Sequence, residues 1–155
     1  MKTILNRLFE HGSLDRETAR MVLINIAKEQ YNQAQIAAFL TVYLMRSITV
    51  EELAGFREAL LELCMPADLG DYQVIDVCGT GGDGKDTFNI STLTSFIVAG
   101  AGYRVAKHGN YSVSSSCGSS NIMEYFGHRF TNDLDDLKRQ LDAAGICFLH
   151  APLFH

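Results

Sequence analysis

No apolar run in these 155 residues approaches membrane-spanning length, so the sequence predicts no transmembrane helix. Polar residues break the opening Met1-Lys2-Thr3-Ile4-Leu5-Asn6-Arg7 within a turn, so no signal peptide is expected. No Cys-x-x-Cys pair occurs. Cys64, Cys78, Cys117 and Cys147 stand far apart, which disfavours a disulfide framework or zinc knuckle and predicts reduced thiols in a cytoplasmic protein. A basic run is missing as well. Thirteen Lys and Arg against 18 Asp and Glu leave a net charge of −5, and neither nucleic acid nor a membrane is expected as a partner. A small anionic ligand stays open, because a few local donors outweigh total charge at a closed site.

What is present is a globular composition, 47% hydrophobic and 20% charged, long enough for one ordinary domain or a small one and part of another. Residues 1 to 65 read as helices only. Ile4, Leu5, Leu8 and Phe9 mark a first helix, Lys2 to Glu10, closed by Gly12. Asp15 is the expected N-cap of a second. Asn32 with Gln35 and Thr49 with Glu52 have capping-box spacing for a third and fourth, the last stopped by Pro66. Apolar residues on several sides of these helices predict a bundle that also packs on something else, either an α/β portion or a second copy of the chain. No catalytic constellation appears here, and His11 and Tyr31 read as surface or boundary residues.

The cluster Met65 to Asp71 is the expected boundary, giving a helical domain at 1–67 and an α/β domain at 72–155. From Tyr72 the pattern is strand then helix: Val74–Cys78 with Ile90–Ala101, Arg104–Lys107 with Ser119–Phe126, then helix Asp133–Ala144 feeding strand Ile146–His150. Gly102, Gly127 and Gly145 sit where helix C-terminal caps belong. The fold class is therefore α/β with parallel strands. Three strands cover little sheet, so the chain reads as cut short.

Three glycines fall among the five residues Gly79 to Asp83, directly after a strand and upstream of a helix start at Asn89–Ser91. Strand, glycine loop and helix N-terminus in that order is a way to hold phosphate, through close backbone N–H groups and a partial positive charge. The pattern is neither Gly-x4-Gly-Lys-Ser/Thr nor Gly-x-Gly-x-x-Gly. Asp83 reads as a turn former or as a partner for ribose hydroxyls or magnesium-bound water. One of Asn89, Ser91 and Thr92 is expected to cap the helix; as ligands they would donate to phosphate oxygens, with the Ser91 hydroxyl in a magnesium shell. Lys107, ending a buried strand, calls for an anionic partner. The Gly- and Ser-rich loop after it is expected to close over a ligand. Cys117 within that loop reads as a small, semi-buried residue and not as a nucleophile.

Gly-Thr-Gly-Gly-Asp at 79–83, Thr-Phe-Asn-Ile-Ser-Thr at 87–92, Lys-His-Gly-Asn at 107–110 and Cys-Gly-Ser-Ser at 117–120 closely resemble the anthranilate phosphoribosyltransferase family. The resemblance runs through the whole chain to Phe148-Leu149-His150-Ala151-Pro152. It implies a small helical domain, often a dimer surface, beside an α/β domain, and hence a homodimer. It implies that Gly79, Gly82, Asp83, Thr87, Asn89, Ile90, Ser91, Thr92, Lys107, His108, Gly109 and Ser119 bind phosphoribosyl pyrophosphate. Gly79 and Asn110 would meet anthranilate, and Ser91 would ligate Mg2+. The implied reaction is attack of the anthranilate amine on the anomeric carbon as pyrophosphate leaves, with Lys107 the foremost electrostatic group and no covalent nucleophile. Members commonly read Lys-His-Gly-Asn-Arg, and Tyr111 here removes that fixed cation. They also continue beyond His155 with an arginine for anthranilate and an Asp-Glu magnesium pair, so these residues alone are expected to be inactive. Alternative readings are a related transferase or nucleoside phosphorylase with another acceptor, or a non-catalytic phosphate-binding or dimerisation module.

Overall fold

The computed structural model describes residues 1–79, 88–112 and 117–154, which form two compact units, Met1–Cys64 and Met65–His155. The first is a helical bundle of α1 (Lys2–Phe9), α2 (Arg16–Ala27), α3 (Gln33–Met45) and α4 (Val50–Leu63). The polar residues before each apolar run set these starts. Asp15 accepts the Thr18 N–H at 2.8 Å, and both expected capping boxes are formed. Leu8, Leu14, Ala19, Val22 and Phe39 make the core, where the Phe39, Tyr43 and Phe56 rings meet edge to face at 5.1–6.0 Å. Gly55 is where α2 and α4 touch: an added Cβ would land on the Arg16 carbonyl oxygen and crowd Ala19. His11 is exposed and Tyr31 half-buried, as expected of surface and boundary positions.

The capping residue Glu52 does more than cap. It is fully buried and receives the N–H groups of Leu14 and Thr49 (both 2.9 Å), the Thr49 hydroxyl (3.0 Å), the Tyr43 hydroxyl (3.2 Å) and two Arg46 nitrogens (2.5 and 3.0 Å). Burial alone would raise its pKa. The Arg46 guanidinium and the donated hydrogen bonds outweigh burial and hold it at about 2.

The second unit is α/β. Strands β1 (Val105–Gly109) and β2 (Ile146–His150) pair in parallel, from Val105 opposite Ile146 to Gly109 opposite His150. Helix α5 (Ile90–Gly100) precedes β1; α6 (Ser119–Tyr125) and α7 (Leu134–Ala144) follow it. Leu137 and Leu141, one turn apart on α7, pack with Leu69, Ala106, Cys147 and Phe154 as the core. Gly145 at φ +71° ends α7 and turns the chain directly into β2. Gly102 and Gly127 also adopt positive φ just past α5 and α6.

The expected first strand, Val74–Cys78, is reduced to one bridge. Ile75 donates to the Arg104 carbonyl (2.9 Å) and accepts from the Ala106 N–H (3.1 Å). The next rung of a parallel ladder would carry the His108 N–H to Val77. Instead the Asp76 carboxylate takes that N–H at 3.3 Å and the Cys78 N–H at 2.9 Å. A side chain thus replaces the backbone acceptor, and the chain turns away one residue after pairing.

Candidate active site

Parallel strands end on the same edge, and ligand sites of α/β sheets form there. Four segments distant in sequence meet at this edge. Asp76 ties residues 76–78 to β1, and Cys78 Sγ stands 3.8 Å from His108 Nδ1. A Cβ on Gly79 would lie 3.8 Å from Ser91 Oγ, so the glycine faces the start of α5. Asn89 Nδ2 donates to the Cys117 carbonyl at 3.2 Å, joining the α5 start to the far end of the polar loop. Ser119 Oγ closes that loop on its root: it receives the Asn110 N–H and donates to the Asn110 carbonyl, both at 3.2 Å.

The start of α5 is uncapped, contrary to the expectation that Asn89, Ser91 or Thr92 would cap it. Asn89 occupies the N-cap position, but its side chain is drawn across to Cys117. Ser95 and Thr94 bond back to the carbonyls of Ser91 (2.7 Å) and Ile90 (2.8 Å), and among the described residues no side chain caps the first turn. Thr92 is 3% exposed, and its Oγ1 has no hydrogen-bond partner among the described residues. A buried hydroxyl without a partner costs stability unless something else engages it.

Lys107 adds a cation to this edge. It is 2% exposed, and its ammonium donates to the His108 carbonyl at 2.6 Å. Among the described residues no carboxylate lies within ion-pair distance of it. Burial pushes its pKa down, with Cys78 and Asp76 opposing that shift. The uncapped helix start, the orphaned hydroxyl and the half-satisfied ammonium all favour an anion.

Gly79 and Asn110 are exposed at this edge; Asn89, Ser91, His108 and Ser119 are half-buried there. Ile90 is 55% exposed as the first residue of α5. Gly109 is buried, and packing accounts for it, since a Cβ would strike Ser119 Oγ and the Phe148 ring. Gly82, Asp83 and Thr87 lie outside the described residues, as do 113–116 of the loop expected to close. Among the described residues no group of three or more His, Cys, Asp or Glu could hold a metal ion. Cys117 is exposed, not semi-buried: its carbonyl accepts from Asn89, and its Sγ lies 3.7 Å from the Gly118 carbonyl.

Tyr111 donates to Glu124 at 2.5 Å and meets the His150 ring edge-on at 5.0 Å, so it is anchored where a cation was expected. Asp76, Ser120 and His150 also shape the edge without having been singled out from the sequence. Asp76 carried a signal, being a carboxylate inside an apolar strand. A cavity of about 230 Å³ lined by Met123, His128, Gln140, Ala144, Cys147 and Phe148 contains none of the candidate residues. Its lining is largely apolar and holds neither a lysine nor an arginine, so the chemistry is assigned to the strand ends.

Comparison with known proteins bears out the fold. Residues 71–155 match the model of a glycosyl transferase family a/b domain, and residues 2–64 match the helical bundle domain of the same family. The chain belongs to this glycosyl transferase family. Members similar to it include the anthranilate phosphoribosyltransferases of Flavobacterium johnsoniae, 66% identical over 155 residues, and Bacteroides fragilis, 56% identical, each alignment covering 100% of this chain and 47% of the relative. The chain thus spans about half the length of the curated relatives it matches. Among solved structures it resembles the anthranilate phosphoribosyltransferase of Thermus thermophilus, with TM-score 0.80, 29% identity, and 97% of this chain and 46% of that one covered. The Saccharomyces cerevisiae enzyme in complex with PRPP and Mg shares the fold at TM-score 0.79 and 22% identity, with the same coverage. The fold is the family's helical bundle followed by the start of its parallel-strand α/β domain.

Proposed function

We propose that this chain carries the phosphate end of an anthranilate phosphoribosyltransferase active site. The full-length protein transfers the phosphoribosyl group of phosphoribosyl pyrophosphate to the amine of anthranilate and releases pyrophosphate. The observations that carry this reading, among the described residues, are the start of α5 beside Gly79 without a side-chain cap, the buried Thr92 hydroxyl of that turn without a partner, and the buried Lys107 ammonium of β1 on one backbone carbonyl. Relatives bearing that enzyme name, at up to 66% identity over all 155 residues, support the choice of substrates.

In this reading Gly79, Ser91 and Thr92 hold phosphate oxygens by backbone and hydroxyl donors; Gly82, Thr87, Asn89, Ile90, Lys107, His108, Gly109 and Ser119 complete the phosphoribosyl pyrophosphate site, and Asp83 meets ribose hydroxyls or magnesium-bound water. Gly79 and Asn110 face anthranilate. The amine nitrogen bonds to the anomeric carbon as the carbon–oxygen bond to pyrophosphate breaks. Pyrophosphate keeps the bonding electrons, and the new secondary amine gives its proton to water. An aromatic amine is neutral near pH 7, so positioning and charge stabilisation carry most of the rate. Mg2+, held by the Ser91 hydroxyl, pyrophosphate oxygens and water, would neutralise charge on the leaving group. Ser91 fits that role as an oxygen donor beside Gly79, with the remaining ligands coming from beyond the described residues.

Calorimetric titration of the full-length protein with phosphoribosyl pyrophosphate tests the reading. Magnesium-dependent binding lost in Ser91→Ala and Lys107→Met is expected. Unchanged affinity in both variants would refute it.

The helical unit is assigned to homodimer contact, supported by exposed Leu40, Leu44, Met45, Val50 and Leu53. Sedimentation of Leu44→Glu against the parent checks this, with loss of the dimer expected. A cytoplasmic location is proposed from the four free cysteines.

A further inference from the structure

His150 is used nowhere in the chemistry above, yet it is 5% exposed and makes a specific polar contact. Its Nδ1 lies 2.9 Å from Ser120 Oγ, and Ser120 is fully buried. The ring is held on two further sides: it stacks on Phe130 at 4.0 Å and 13°, and the Tyr111 ring meets it edge-on at 5.0 Å. Burial pushes its pKa below the ordinary value, with Glu124 opposing weakly, so the imidazole is neutral near pH 7. In the tautomer that carries its proton on Nε2, the neutral ring accepts a hydrogen bond from the Ser120 hydroxyl at Nδ1.

Ser120 does not stop there. Its backbone N–H donates to the Asn110 carbonyl at 3.1 Å, beside the two contacts from Ser119 to the same residue. The Asn110 side-chain oxygen is already taken by the Tyr111 N–H at 2.8 Å, which leaves its amide nitrogen as the group to face a substrate. The path therefore runs from the end of β2, through one buried hydroxyl, to the root of the polar loop.

We propose that His150 is a positioning residue for the acceptor half of the reaction: by fixing Ser120 it fixes the Asn110 backbone, and with it the orientation of the Asn110 amide toward the aromatic amine. This rests on the anthranilate reading of Asn110 and adds a residue to it. His150 touches no substrate and acts only through Ser120.

Two readouts on the full-length protein separate the inference from the reading beneath it. The first is amide hydrogen exchange at Ser120, which needs no substrate. His150→Phe keeps the stack on Phe130 and removes the acceptor; Ser120→Ala removes the donor with little change in volume. Each is expected to raise exchange at Ser120 by about tenfold through local opening. His150→Asn, which places an amide group near the position of Nδ1, is expected to restore protection. The second readout is kinetic. Both variants should raise KM for anthranilate by roughly three- to tenfold, with kcat and the KM for phosphoribosyl pyrophosphate within about twofold. The double variant should be no worse than either single, as for members of one network.

Unchanged exchange in both His150→Phe and Ser120→Ala would overturn the proposal. So would equal losses in kcat and in both KM values, or additive effects in the double variant, since each marks a merely structural contact. A full-length protein that shows the expected exchange pattern but no transfer to anthranilate would retire the reading of function and uphold the pinning.

Discussion

Glu52 in the helical unit and Lys107 in the α/β unit are both almost fully buried, and the chain treats them in opposite ways. Glu52 in the helical unit meets two backbone N–H groups, two hydroxyls and a guanidinium, so nearly every lone pair is answered from within the chain. Lys107 in the α/β unit meets one backbone carbonyl among the described residues. A compensated buried charge belongs to the architecture, whereas one with so little compensation is a candidate for ligand binding, as proposed above. The contrast separates architecture from chemistry in this chain better than burial does, because both residues are almost fully buried.

The comparison breaks most visibly in catalysis. Lys107→Met in the full-length protein is expected to lower kcat/KM for phosphoribosyl pyrophosphate by about 10²–10³, the scale for removing one preorganised stabilising group. Its melting temperature should hold or rise, since the apolar replacement removes an uncompensated charge. Glu52→Gln should do the reverse. Loss of the charge under Arg46 is expected to destabilise the helical unit by about 3–5 kcal/mol, read as a lower urea midpoint. Comparable loss of stability in both variants would erase the distinction.

Acid and alkali probe the same pair with opposite signs. Glu52 sits at about 2 when folded, below its ordinary value near 4.5, so its contribution is fully present above that ordinary value. It is lost as pH falls toward 2, and acid unfolding should shift to higher pH in Glu52→Gln. Lys107 is shifted down by burial, so its charged form disfavours the fold. That cost fades as pH rises through the lowered folded pKa toward the ordinary lysine value, and an anionic ligand should bind less tightly over that rise. Titrations at several pH values should show this slope in the parent and none in Lys107→Met.

Gly55→Ala separates helix propensity from packing inside the architectural half. Alanine is the better helix former, yet its Cβ would strike the Arg16 carbonyl across α2 and α4. A net loss of about 1–3 kcal/mol is expected from overpacking, checked by thermal unfolding.

How legible each half was follows from the same physics. Helix starts were readable because Asp15, Asn32 and Thr49 act on N–H groups three residues away, well inside a local pattern. The role of Glu52 was readable only as a cap, since Leu14 reaches it across 38 residues. The strand at Val74 was read too long because alternation and apolar content do not show that the Asp76 carboxylate would take the next rung. At the site, residue types and order pointed to phosphate. The uncapped start of α5 could not be foreseen, because Asn89 spends its side chain on Cys117, 28 positions on. Ser120 and His150 stood inside quoted motifs, at 117–120 and 148–152, but their contact was unreadable for a similar reason: it spans 30 positions.

Thr92 offers the finest test of that division. Its hydroxyl is buried and unpartnered, so a purely architectural reading predicts that it is a defect. Thr92→Val keeps the shape and removes the orphan. On that reading the variant would be more stable and otherwise unchanged. If the hydroxyl instead waits for a phosphate oxygen, the variant should again be as stable or slightly more so, but bind phosphoribosyl pyrophosphate about tenfold more weakly, the worth of one good hydrogen bond. Stability alone cannot tell the two apart, and the titration can. Equal affinity in Thr92→Val would move this residue to the side of Glu52 and leave Lys107 and Ser91 as the chain's principal side-chain claim on the anion.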